Sequence, residues 1–323
     1  MTIFGREFPI ERLSDAVFKE NAWLCDLLSY WNPSGDAVGR RADQEDKEHL
    51  RLAIRYGYLN FYRAGQSVAK VSFDKQGKLQ AKIHNKYVYG KRGSGQSYVK
   101  LTSAGFPKGL VGNQLICYGG AACLRGWISN ANEHGGKEKC FVDLVVARNP
   151  NIIDLEMGLP AYSNGKQSAP RMDLVGLEPV GNGWRIVFWE AKLVGDGRAR
   201  CRGVEKEPRV VEQLKDYTEW LGHENHRDVV ARAYQRTCCL LVKLHDIAKR
   251  FRPDIEELGL GIRNVATPNA PPLIIDDKPR LLIDDRTRNV AFTKNGHLQK
   301  LLNLGLHVQM VQDPDNMTLK TCA

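Results

Sequence analysis

Three charged residues stand where burial makes charge costly. Asp173 sits in the run Met172-Asp173-Leu174-Val175, and Glu190 and Lys192 close the run Ile186-Val187-Phe188-Trp189. Side chains two apart on a strand share a face, so Glu190 and Lys192 point the same way and Ala191 points back. The intervening "VGNG" is turn-forming, and a hairpin there brings Asp173 close to Glu190. Two carboxylates and the Ala191 backbone carbonyl make a hard oxygen site suited to Mg2+ or Mn2+. Lys192 could orient or help deprotonate an attacking water, or offset charge on a phosphate, while the cation stabilises developing negative charge. The plainer alternative is a cross-strand salt bridge between Lys192 and an acid.

The elements around this constellation follow from periodicity. "KEKCFVDLVVARN" puts Glu138, Phe141, Val142 and Val145 on one helical face, and Asn149-Pro150 ends it. "NIIDLEMGL", "RMDLVGLEP" and "WRIVFWEAKL" read as three strands. "EPRVVEQLKDYTEWLG" reads as a helix with Pro208 at its start and Gly222 after its end, and "RDVVARAYQRTCCLLVKLHDIAKRF" as a second. "PPLIIDDKPRLLIDD" reads as a strand, "NGHLQKLLNLG" as a short helix capped by Gly305, and "LHVQMVQ" as a last strand. That order predicts an α/β fold, a mixed central sheet with helices on both sides.

On the helix after the Glu-x-Lys strand, Gln213 and Tyr217 lie at i and i+4 on one face. Asp173…Glu190-Ala191-Lys192 resembles the PD-(D/E)xK nuclease superfamily, and Gln213-x-x-x-Tyr217 resembles the extra motif of its RecB-type and phage lambda exonuclease-type branch. The resemblance covers roughly residues 135–312 and implies a restriction-endonuclease-like core in αβββαβ order. It implies that Asp173 and Glu190 bind metal, that Lys192 is catalytic, and that Gln213 and Tyr217 position the DNA backbone and the lysine-side network. The activity implied is metal-dependent hydrolysis of DNA phosphodiesters, with RNA left open, in DNA repair, phage recombination or anti-phage defence. The sequence departs from the family pattern at Met172, where the nominal proline precedes the aspartate. Another acid often comes from the preceding helix. Glu138 fits, with Glu156 on the first strand as its rival. Some relatives hold an iron-sulfur cluster on one upstream and three downstream cysteines; Cys140, Cys201, Cys238, Cys239 and Cys322 do not match that grouping, so no cluster is expected. The rival reading is a catalytically silent nucleic-acid-binding or interaction protein with a nuclease-like fold.

Residues 1–130 read as a separate basic, strand-rich α+β extension, with 131–323 as the nuclease-like domain. Its strands "YGYLNFYRAG", "QSVAKVSFD", "KLQAKIHNKYVYG" and "SYVKL" carry lysines interleaved with tyrosines, a composition that can neutralise phosphates and stack on bases. Most of those tyrosines suit a core better; Lys91 and Arg92 in the turn "GKRGSG" are the expected nucleic-acid contacts. A protein partner could also dock on this extension. No G-x-x-x-x-G-K-[ST] loop is present, so any DNA unwinding must come from another protein.

With 323 residues, 47 Lys and Arg against 37 Asp and Glu, and a net charge of +10, the chain suits a polyanionic partner or simply has a basic surface. No apolar run approaches the roughly 18 residues of a membrane helix, and no export signal is legible. The expectation is a cytoplasmic protein with reduced thiols, Cys238-Cys239 suiting buried thiols. His223, His226, Cys238 and Cys239 could be arranged into a zinc site, though at an unusual spacing. A catalytic histidine at His223 or His226 is less expected than a solvated loop. Asp276, Asp277, Asp284 and Asp285 read as turn-forming strand ends.

Overall fold

The computed structural model describes residues 4–34, 49–89, 98–103, 110–111, 114–115, 118–160, 171–201 and 207–321. Helices α1 (Asp15–Glu20) and α2 (Ala22–Tyr30) precede an antiparallel meander of β1 (Arg51–Arg55), β2 (Tyr58–Arg63), β3 (Gln66–Phe73), β4 (Leu79–His84) and β5 (Tyr98–Leu101), paired in that order. Between β4 and β5 lies α3 (Asn85–Tyr89). The strand expected over "KLQAKIHNKYVYG" therefore stops at His84: Lys86 N–H donates to His84 Nδ1, 3.2 Å, and the chain turns into a helix. A two-stranded ribbon, β6 (Leu110–Val111) and β7 (Gln114–Leu115), leads to α4 (Ala121–His134). This helix crosses residue 130, packing Leu124, Trp127 and Ile128 into the core.

The second sheet carries the site. It follows α5 (Lys137–Arg148) and contains β8 (Ile152–Gly158), β9 (Arg171–Val180) and β10 (Gly183–Leu193). Then come α6 (Arg209–Gly222), α7 (His226–Lys249), α8 (Leu260–Val265), β11 (Ile274–Ile275), β12 (Arg280–Asp284), α9 (Val290–Lys294), α10 (His297–Asn303) and β13 (Val308–Val311). Its order is β13-β12-β10-β9-β8, with β11 also on β10. Pairs β8–β9 and β9–β10 are antiparallel; β10–β12 and β12–β13 are parallel. The molecule is thus mixed α/β, with one antiparallel and one mixed sheet flanked by helices. The single strand expected over "PPLIIDDKPRLLIDD" is two, because the segment leaves β10 after Ile275 and returns to it at Arg280.

β10 is central, and its side chains divide by parity. Val187, Trp189 and Ala191 join Leu174 of β9 against Phe141, Val142 and Val145 of α5. Ile186 and Phe188 face the other layer, with Leu214 and Tyr217 of α6 and Tyr234 of α7. Glu190 and Lys192 continue this second parity past Phe188.

Buried ion pairs join the first sheet to α5 and to β8 of the second sheet. Asp143 of α5 accepts from Arg51 Nε at 3.1 Å and Arg63 Nη1 at 2.8 Å. Asp154 of β8 accepts from Arg6 Nε and Nη2, both at 3.0 Å, from Tyr234 Oη at 2.9 Å, and from Arg55 Nη1. The arginines hold both carboxyls below the usual range against the burial that would raise them. No described helix is long and apolar enough to cross a membrane.

Candidate active site

The ladder between β9 and β10 runs from Gly183↔Val180 to Trp189↔Leu174. Gly181, at φ 54°, makes the turn that sets this register. Extending it by one pair sets Glu190 opposite Asp173. There the ladder gives way: the Ala191 N–H donates to Asp173 Oδ2, 2.8 Å, so a carboxylate takes a main-chain donor. On the far side of β9, Leu155↔Leu174 and Met157↔Met172 bracket Glu156, which lies across from Asp173. Glu156 has φ 49°, a left-handed backbone rare for a residue with a side chain.

Two lysines answer these acids. Lys192 Nζ contacts Glu190 Oε1 and donates to the Ala191 carbonyl at 2.7 Å. Lys139, in the first turn of α5, lies 2.5 Å from Asp173 Oδ1 and 2.6 Å from Glu156 Oε1. Glu138 Oε2 lies 3.9 Å from Lys192 Nζ and 3.1 Å from Arg198 Nη2. Lys192 and Glu190 are only 1% and 2% exposed.

The electrostatics follow from that burial. Desolvation, then the neighbouring Asp173 charge, push the Glu190 carboxyl up to about 8, although Lys192 pulls the other way. Burial also raises Glu138, opposed by Lys192. Burial works to lower Lys139, but Asp173 and Glu156 outweigh it and hold its ammonium above the ordinary lysine range. Glu190 Oε2 is buried with no hydrogen-bond partner among the described residues.

Asp173, Glu190, Ala191 and Lys192 come together, with Glu138 at the margin through Lys192. Gln213 and Tyr217 act on the strands: Gln213 Nε2 donates to Arg171 O at 3.1 Å, and Tyr217 Oη to Met157 O at 2.6 Å. Tyr217 is fully buried. They therefore tie α6 to β9 and β8 beside Asp173 and Glu156. Lys91 and Arg92 lie outside the described residues.

Lys139 escaped the sequence reading. Its only signal is adjacency to Glu138 in the first turn of a helix, a common place for a solvated charge. The Asp276, Asp284 and Asp285 side chains accept from the main-chain N–H of Lys278, Arg286 and Asn289, so they cap turns as expected. His226 Nδ1 is 2.7 Å from Trp220 O, and Cys239 Sγ donates to Ala266 O, so neither is turned to a shared metal.

Among the described residues, no group of three or more His, Cys, Asp or Glu side chains is arranged to hold a metal ion. The site instead offers two carboxylates and a main-chain carbonyl. That set fits a hard divalent cation in donor type, and the unpartnered Glu190 Oε2 supplies an oxygen lacking a ligand. Compared with known proteins, the chain matches no family model, no curated protein and no solved structure.

Proposed function

We propose that the chain is a divalent-cation-dependent nuclease that hydrolyses DNA phosphodiester bonds on a restriction-endonuclease-like core. One observation carries the reading: Asp173 accepts from Ala191 N–H where β9 and β10 part, beside a Glu190 and a Lys192 that are both buried. Keeping two such charges at a strand end is costly unless the site uses them. The order α5, β8, β9, β10, α6, β12 supports the αβββαβ core, and the net charge of +10 supports a polyanionic substrate.

Asp173, Glu190 and the Ala191 carbonyl would hold Mg2+ or Mn2+, with Glu138 or Glu156 as the additional acid. The bound cation supplies Lewis-acid stabilisation of charge on the phosphoryl oxygens. Lys192 orients the attacking water or offsets charge on the phosphate. Its ammonium already bridges Glu190 and the Ala191 carbonyl, which fixes where that charge sits. Lys139 holds Asp173 and Glu156 in register across β8 and β9.

A second reading, a catalytically silent nucleic-acid-binding protein, has one observation in its favour: the lysines partly neutralise the cluster internally. Glu138, Glu156, Asp173, Glu190 and Asp196 face Lys139, Lys192 and the half-exposed Arg198, five carboxyls against three cations. Even with Glu190 holding its proton at neutral pH, four carboxylates face three cations, which favours a cation-binding site.

The test is a cleavage assay on linear, circular and single-stranded DNA with Mg2+ or Mn2+. Wild type is expected to cut, and Glu190→Ala and Lys192→Ala to bind without cutting. Binding by all three proteins with no cutting by any supports the silent reading.

A further inference from the structure

Over β3, β4 and β5, one face of the first sheet carries a row of like charges. Lys70 of β3 pairs directly with Lys82 of β4, and Lys82 pairs directly with Lys100 of β5. Residues directly opposite share a face, so the three ammonium groups stand side by side across three strands spaced about 4.8 Å apart. The alternate positions Ala69, Val71, Ala81, Ile83, Val99 and Leu101 are buried, so the lysines stand on the other face, which is covered at β1 and β2, where Ala53 and Asn60 continue the row, and open at β4 and β5. Lys82 and Lys100 are exposed and Lys70 is half-buried. None of the three forms an ion pair with a described residue.

Like charges directly opposite each other disfavour a sheet, and here two such pairs occur in succession. No carboxylate among the described residues pairs with them, and one aromatic ring is their nearest offset. Tyr98, two residues from Lys100 on the same face, is 47% exposed, with its ring 5.6 Å from Lys70 Nζ. The row lies within electrostatic reach of a further cation on β9. After burial, Arg171 is the largest influence on the Lys70 ammonium, ahead of Lys82, and all three depress its pKa. Arg171 is exposed and lies two residues before Asp173 on β9.

We propose that Lys70, Lys82, Lys100 and Tyr98 form a track for single-stranded nucleic acid that leads past Arg171 to Asp173 and Glu190. A cationic row on an open sheet neutralises successive phosphates, and an exposed ring stacks on a base that is not already paired. A duplex keeps its bases stacked inside and offers none to the exposed Tyr98 ring. The track rests on the nuclease reading only for its destination; binding is measured without cutting.

The experiment is fluorescence anisotropy with a labelled oligothymidylate of about 20 nucleotides, a length exceeding one such site, in a metal chelator. Lys82→Ala/Lys100→Ala is expected to bind roughly tenfold more weakly. Its slope of log affinity against log salt should fall by about 1.4, or about 0.7 for each phosphate no longer neutralised. Tyr98→Ala should weaken binding by a further factor of about ten. Lys294→Glu, on the helix α9 near the opposite edge of the second sheet, is expected to bind as wild type does. The double variant removes repulsion, so its melting temperature should not fall, which separates weakened binding from a damaged fold. Unchanged affinity in the double variant overturns the track, as does an equal loss in Lys294→Glu. A blunt duplex that binds as tightly and loses as much overturns the single-strand assignment. If wild type never cuts with Mg2+ or Mn2+ while the double variant still binds weakly, the nuclease reading falls and the track stands.

Discussion

A Cβ added to Gly65 would stand 2.7 Å from Cγ of Lys139, the residue whose ammonium holds Asp173. Gly65 and Ala64 form the β2–β3 turn at φ 70° and 45°. The first sheet therefore touches the candidate active site through a hairpin tip that requires a missing side chain. Gly65→Ala incurs the left-handed backbone cost of about 1–2 kcal/mol and also displaces the Lys139 stem. Gly57→Ala is the matched control: its φ is 78°, yet nothing lies within 4 Å of its would-be Cβ. Both variants should lose stability in chemical denaturation. Gly65→Ala alone should lose nuclease activity, and equal activity in the two would remove Lys139 from the mechanism.

Glu190 gives the site a pH dependence whose sign is fixed. Its folded pKa of about 8 lies above the 4.5 of an ordinary glutamate. In metal-free protein its stability contribution is therefore fully present below about 4.5 and is lost as pH rises through about 8. A divalent cation prefers the ionised carboxylate, so binding below pH 8 should release about one proton and strengthen up to tenfold per pH unit. Calorimetry in buffers of different ionisation heat measures that proton. Glu190→Gln should abolish its release; release that persists would assign the proton to another group, Glu138 being the nearest candidate.

Much of the second sheet was legible because its signals are local. The runs before Glu190 and after Asp173 are continuously apolar, and Gly181 and Gly183 mark the turn that sets their register. Lys139 was not legible, because its importance lies in reaching Asp173 and Glu156 on two other elements. The same holds for α4, whose Leu124, Trp127 and Ile128 sit among small and polar residues. Arg51 and Arg55 look like charges of a surface strand, and only Asp143 and Asp154, about ninety or more positions away, explain their burial. The residues whose types announce chemistry were readable; the long-range charge partners that hold them were not.

Those partners make a stability prediction. Asp154→Ala leaves Arg6 and Arg55 buried without their common acceptor, and a broken buried pair costs about 3–5 kcal/mol. The loss should appear as a lower midpoint in urea. Because the Asp154 carboxyl is held below its ordinary value, its contribution is present at neutral pH and is lost as pH falls through that depressed pKa. The variant should therefore be less sensitive to acid than wild type. An Asp154→Ala protein within about 1 kcal/mol of wild type would mean that the arginines find other acceptors.

Gln213 and Tyr217 can be separated by what each leaves behind. Tyr217→Phe strands a buried Met157 carbonyl and should cost about 1–3 kcal/mol, with kcat falling as β8 and Glu156 loosen. Its ring is fully buried, so KM for DNA should hold. Gln213 is half-buried and holds only the Arg171 carbonyl, so Gln213→Ala should cost less than about 1 kcal/mol. A direct contact between Gln213 and the DNA backbone would instead raise KM in Gln213→Ala with kcat unchanged. Steady-state kinetics on one oligonucleotide distinguishes the two: a KM effect makes Gln213 a substrate ligand, and a kcat effect shared with Tyr217→Phe makes the pair a brace for the strands beneath Asp173.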